Sequence, residues 1–275
     1  MATKIKKVIL YIALILLCVI CLIPFYMMMV NATRSSKQIL AGFSMIPGTS
    51  IAANYKFLRS YVNLLQGMWN SVKVAVPATL LNAYFSALTA YALAIYKFKG
   101  RNVIFYVIVI FMMIPGQLSL IGFYNLCSKL KLIDSYIPLI IPAIAAPGTV
   151  FFLRQYVMSV LSPFLLEAAR IDGAGELRIF HRIVLPIMGP GIATMAIGGF
   201  IGNWNSYLIP MILLNTPSKF TLPVQVASLN AVQDISNNRG AAYLALAISV
   251  IPVIVVFCFC SRWIISSITA GGVKE

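Results

Sequence analysis

Acidic residues are scarce in this sequence, six in 275 positions against 21 Lys and Arg. Charged residues of both signs make up 10% of the chain, where an ordinary soluble domain carries about a quarter. A soluble fold of this length must cover its core with charge, so the shortage excludes one. Histidine is nearly absent as well. His181 stands alone with no second metal-type residue placed to join it, which excludes the usual zinc spacings; it reads as a loop or interface residue rather than a ligand. No G-x-x-x-x-G-K-[ST] phosphate loop occurs, so the chain does not hold a nucleotide in that way. The net charge of +15 comes without a dense Lys/Arg block or interleaved aromatics, which excludes a nucleic-acid surface and points to basic residues flanking membrane spans beside anionic headgroups.

Five cysteines are present, and Cys18, Cys21, Cys127, Cys258 and Cys260 all lie in or beside apolar runs. They read as small buried hydrophobes rather than a disulfide framework. Cys18 and Cys21 form C-x-x-C, but a thioredoxin-like thiolate needs an exposed, electropositive setting that an apolar helix does not give.

What the chain has in abundance is apolar residues, 61% of positions, with a mean hydropathy of +0.93. About 20 apolar residues cross the hydrocarbon as a helix. Six candidate spans are legible, at about 8–30, 72–96, 103–126, 137–153, 187–214 and 241–263, and they predict an all-α integral membrane protein forming a single domain over 1–275. The first follows Lys4, Lys6 and Lys7 and resembles a signal peptide, but its apolar stretch exceeds the usual h-region, so it reads as a retained span. The fourth carries Pro138, Pro142 and Pro147; broken helices persist at membrane depth only where protein or a watery cavity satisfies the backbone.

Six spans put both termini on one side, and the basic N-terminus assigns them to the cytoplasm. Twelve of the 21 basic residues then lie inside, including Lys97, Lys99, Arg101, Arg154, Arg262 and Lys274. The spans hold almost no ionisable residues, Lys73 sitting at an edge. Proton- or sodium-coupled carriers keep such groups at mid-membrane as relays, which weighs against a secondary transporter. A membrane scaffold without transport is the other alternative.

Three of the six acids, Glu167, Asp172 and Glu176, fall within ten residues. The stretch from Ser162 to Pro186 predicts a helix capped by Ser162 with Pro163 at its first position, a turn at Asp172-Gly173, and a second helix. Leu165, Leu166 and Ala169 can line one face of the first helix, leaving Glu167 and Arg170 polar. Glu167-Ala168-Ala169, Gly173, Ile183 and Leu185-Pro186 resemble, at matching spacing, the EAA loop of ABC import permeases. Asn70-Ser71, Ala90-Tyr91-Ala92, Phe98-Lys99-Gly100-Arg101, Met113-Ile114-Pro115 and Trp204-Asn205-Ser206-Tyr207-Leu208-Ile209-Pro210 are similar to sugar-importer permeases of the maltose type.

The resemblance implies a type I importer permease fold of six transmembrane helices, in a bacterial-type cell membrane, with 162–186 as a cytoplasmic coupling loop. It implies that Glu167, Ala168, Ala169, Asp172, Gly173, Ile183, Leu185 and Pro186 couple to an ATPase. The implied partners are a second permease in a heterodimer, an ATPase dimer holding the ATP and magnesium, and an extracellular solute-binding protein. No cofactor and no catalysis are expected in this chain itself. The cargo is expected to be an oligosaccharide or related sugar, with glycerol phosphate as the alternative. Polar and aromatic groups within a span can stack on a sugar and bond its hydroxyls, which makes Trp204, Asn205 and Tyr207 candidate pathway residues beside a packing role. Gly198 and Gly202, spaced as G-x-x-x-G, mark a candidate close helix contact.

Overall fold

The computed structural model describes the backbone of residues 2–272 and the side chains of residues 5–259 except Asn230 and Gln233. Lys4, Cys260, Arg262 and Trp263 lie outside the described side chains, and Lys274 outside the described residues. Among those described, every regular element is helical. In chain order the helices are α1 (Ala2–Ala32), α2 (Ser36–Leu40), α3 (Ile51–Tyr61), α4 (Leu64–Ile95) and α5 (Arg101–Met112). There follow α6 (Leu120–Lys129), α7 (Ile137–Ile140), α8 (Pro147–Val160), α9 (Pro163–Ile171) and α10 (Glu176–Ile179). The last are α11 (Leu185–Ile187), α12 (Gly189–Trp204), α13 (Leu208–Leu213), α14 (Leu222–Ser228) and α15 (Arg239–Gly272).

Among the described residues four helical runs are long and apolar enough to cross a membrane, and the number rises to six if each of two bent pairs is one span. In α1 the whole apolar window is exposed, a surface that only lipid or another apolar surface can cover. The run expected at 103–126 breaks after Met112, and its halves meet at 91°. Pro115 and Gly116 account for this, since proline cannot donate to the preceding turn. The run expected at 187–214 is not one helix: α12 ends at Trp204 and α13 begins at Leu208, because Pro210 cannot donate to the carbonyl of Ser206. At its other end α12 meets the helix from Glu176 to Ile187 at 76°, with Gly189-Pro190 at the bend.

The chain packs as two compact units, Met1–Met68 with Leu222–Pro252, and Trp69–Thr221 with Val253–Glu275. In the first unit the buried Asn54 and Arg34 side chains bond to backbone carbonyls. The Asn54 amide donates to the carbonyls of Ala32 at 2.8 Å and Arg34 at 3.1 Å, and the Arg34 guanidinium donates to Gln38 and Gly42 carbonyls.

The second unit contains a core in which Ala87, Ala90 and Tyr91 of α4 meet Leu153 and Val157 of α8 and the segment from Leu166 to Met188. The close helix contact expected of Gly198 and Gly202 is not found, since a Cβ at either would meet nothing within 4 Å. The tight approach is at Gly191, where a Cβ would lie 2.7 Å from the Tyr156 ring. Gly191 lets α12 lie directly against α8.

Elsewhere in this unit, Asp134 clamps the loop after α13. Its Oδ1 accepts from the backbone N–H of Asn215 and of Thr216, both at 3.0 Å, and its Oδ2 accepts from Lys219 Nζ at 2.8 Å and Thr216 Oγ1 at 2.7 Å. The Lys219 ammonium first, and then these hydrogen bonds, hold the Asp134 carboxyl well below the usual carboxylate range. A lowered folded-state pKa stabilises above the unfolded value of about 4 and is lost as pH falls through the lower folded value. Asp134→Asn should therefore lower the melting temperature at neutral pH, and the gap to wild type should narrow below about pH 4. A gap that stays constant in thermal melts across that range would count against the clamp.

Candidate functional site

The segment 162–186 forms a helical hairpin in the second unit. Ser162 occupies the position before α9 with extended backbone, yet its side chain makes no capping bond. The expected hydroxyl cap is therefore absent; Pro163 starts the helix, lacking an N–H that would need one. The C-terminus of α9 is closed by a Schellman turn: Ala174 N–H donates to the carbonyl of Ala169 and Gly173 N–H to that of Arg170, both at 3.0 Å. Such a turn requires a left-handed residue just past the helix, and Gly173 supplies it with φ +76°. The Asp172-Gly173 turn thus sits where the sequence predicts it.

Leu166 and Ala169 are buried on one face of α9, whereas Leu165 is exposed. The opposite face carries Phe164, Glu167, Ala168 and Ile171, all exposed. Phe164 is 79% and Ile171 86% exposed, with Leu177 beyond the turn at 69%. Large apolar side chains are thus held in the open on both sides of one carboxylate. Their i, i+3, i+7 spacing is visible in the sequence, but only the burial of Leu166 and Ala169 shows which face is free.

After α10 the helix passes through a π turn, Phe180–Val184. Such turns are rare and often lie at functional sites. Here the wider turn accompanies a buried row of Ile179, Phe180, Val184 and Met188 packed toward α4 and α8. Ile183 and Leu185 are half-buried against this core, and Pro186 is exposed. The spaced residues of the loop therefore divide in two, with Glu167 and Ala168 on the free face and Ala169, Ile183 and Leu185 holding the hairpin to the bundle.

Polar contacts add to that attachment. Arg170 Nε donates to Glu176 Oε1 at 2.8 Å and Arg170 Nη2 to Oε2 at 3.3 Å, and the Tyr96 hydroxyl donates to the same Oε2. The bond to Glu176 raises the Arg170 pKa further. His181 Nδ1 lies 2.7 Å from the Leu177 carbonyl and Nε2 3.1 Å from the Tyr84 hydroxyl. A carbonyl only accepts, so Nδ1 carries a proton and donates to Leu177. His181 is thus a packing and hydrogen-bonding residue, and no His, Cys, Asp or Glu cluster able to hold a metal occurs among the described residues.

The second set of expected residues does not assemble. Trp204 is buried and stacks on Phe200 at 5.7 Å between centroids, while Asn205 and Tyr207 are exposed. Their neighbours Asn203 and Ser206 instead line a cavity of about 180 Å³ with Ser71 and Thr221. Asn203 belongs to α12 and Ser206 to the break after it; three positions apart they reach the same side, but residue identity alone does not say that this side, and not that of Trp204, faces the cavity.

Residues 83–269 match the family described as binding-protein-dependent transport system inner membrane component. The chain belongs to this family. The permease is 36% identical to the arabinooligosaccharides transport system permease protein AraQ of Halalkalibacterium halodurans, over 93% of this chain and 92% of that one. It is 33% identical to the diacetylchitobiose uptake system permease protein NgcG of Streptomyces coelicolor, over 94% and 86%. Its fold is that of a chain in a bacterial ABC transporter that imports alginate, with a TM-score of 0.79 at 22% identity, covering 95% of this chain and 97% of that one. The permease is thus an all-helical, multi-pass inner-membrane component with a role in transport.

Proposed function

We propose that the permease forms half of the translocation pathway of an ATP-driven importer for oligosaccharides and takes its driving force through the 162–186 hairpin. The observation that carries this reading is the free face of α9. Phe164 and Ile171 are mostly exposed beside Glu167 and Ala168, on a helix held at its other face by buried Leu166 and Ala169. An amphipathic helix with a free apolar stripe suits docking into a groove, and Glu167 supplies a charge for a basic partner at its centre. The partner we assign is a cytoplasmic ATPase subunit, which would hold the ATP and magnesium and carry out hydrolysis.

Several features support the rest of the assembly. The N-terminal lysines favour cytoplasmic termini, which brings the hairpin to the same side. A second, different permease would complete the pathway, and a solute-binding protein would deliver the sugar, as the family description implies. The names of AraQ and NgcG favour an oligosaccharide cargo. A glycerol-phosphate cargo is the second reading, since the sn-glycerol-3-phosphate permease UgpE of Yersinia pestis is 30% identical over 93% of both chains.

Co-expression with candidate ATPase subunits and uptake of arabino-oligosaccharides and glycerol 3-phosphate test the reading. The ATPase should co-purify with the wild type, and the oligosaccharide should be taken up only when ATP is present. Glu167→Lys should abolish uptake while the membrane level of the protein is unchanged. Normal uptake in Glu167→Lys, or in cells lacking the ATPase, would refute the docking role.

A further inference from the structure

We infer that Arg170, Glu176 and Tyr96 form a tie that makes the end of α4 move with the hairpin, and that they are positioning residues for transport. The inference rests on the docking role proposed for α9. Three elements converge on one carboxylate: Arg170 in the last turn of α9, Glu176 at the start of α10, and Tyr96 immediately after α4. Both oxygens of Glu176 are used, Oε1 by Arg170 Nε at 2.8 Å and Oε2 by Arg170 Nη2 and the Tyr96 hydroxyl.

The core beneath already presses Phe180 and Val184 toward Ala87, Ala90 and Tyr91 of α4. Apolar contact is non-directional, so it holds two faces together while leaving them able to slide along each other. A guanidinium fork on a carboxylate constrains angle as well as distance. The pair is 39% and 47% exposed, so it contributes little to stability; its contribution is register. The consequence extends into α4: a displacement handed to Tyr96 reaches the stretch of α4 between Pro77 and Ile95, which carries Ala87, Ala90 and Tyr91 of the core.

Hydrogen exchange on the complex purified with its ATPase, with and without Mg-ATP plus vanadate, separates the two ideas. Residues 163–171 report docking and residues 90–96 report transmission. In the wild type both segments should change exchange on trapping. In the double variant Tyr96→Phe/Glu176→Gln, residues 163–171 should still respond and the response at 90–96 should be lost. The single variant Tyr96→Phe keeps the Arg170–Glu176 pair, and so the hairpin, while removing only the bond to α4; it should lose the response at 90–96 as well, which excludes a folding defect as the cause. An undiminished response at 90–96 in the double variant or in Tyr96→Phe overturns the tie alone. No response at 163–171 in the wild type overturns the docking reading and the tie with it.

Discussion

Gly173→Val should abolish uptake while leaving the protein in the membrane. A Cβ at this position meets nothing within 4 Å, so no clash opposes the substitution. The cost is conformational: φ is +76°, and an L-residue in that region costs about 1–2 kcal/mol, more for a β-branched one. The local escape is to give up the left-handed turn. That breaks the two Schellman bonds from Gly173 and Ala174, changes the angle between α9 and α10, and separates Arg170 from Glu176. The face carrying Glu167 then points elsewhere. Asn tolerates the left-handed region, so Gly173→Asn should retain most uptake, and the two variants can be compared at equal expression. Equal activity of Val and Asn would show that the turn is not what orients the docking face.

Trp204→Ala should act through stability rather than through cargo recognition. The side chain is 1% exposed and stacked on Phe200, and truncating a buried aromatic costs about 3–5 kcal/mol. In a membrane the loss is chiefly of packing contacts, since lipid removes the drive to hide apolar surface. The expected result is a lower melting temperature and less folded protein, with an unchanged sugar concentration at half-maximal uptake for the molecules that fold. Asn203→Ala, which removes a polar group from the 180 Å³ cavity, should leave the melting temperature nearly unchanged. A raised half-maximal concentration in Trp204→Ala at full stability would support the pathway role instead.

Much of the hairpin is legible one residue at a time. Pro163 before an apolar run, Asp172-Gly173, and a second polar helix are local chemistry, and the structure meets each of them. The serine cap fails because hydroxyl capping depends on side-chain rotation, which the identity of Ser162 does not set. The Arg170–Glu176 pair was equally invisible, since residues six apart do not meet on a straight helix; the turn at Gly173 brings them together. The same holds for Gly191, whose neighbour Tyr156 is 35 positions away, whereas the spaced pair Gly198 and Gly202 faces open space. Periodicity also carries α12 through Asn205, where the chain in fact breaks.

By composition and local pattern alone, this sequence determined a helical membrane protein with one charged hairpin, because apolar run length and turn chemistry are properties of neighbouring residues. Tertiary structure decided which face of α9 is free, that Trp204 is core while Asn203 and Ser206 line a cavity, and that Glu176 joins three helices. Those outcomes depend on segments distant in sequence competing for the same buried surface, and on bends that reset the helical phase between one face and the next.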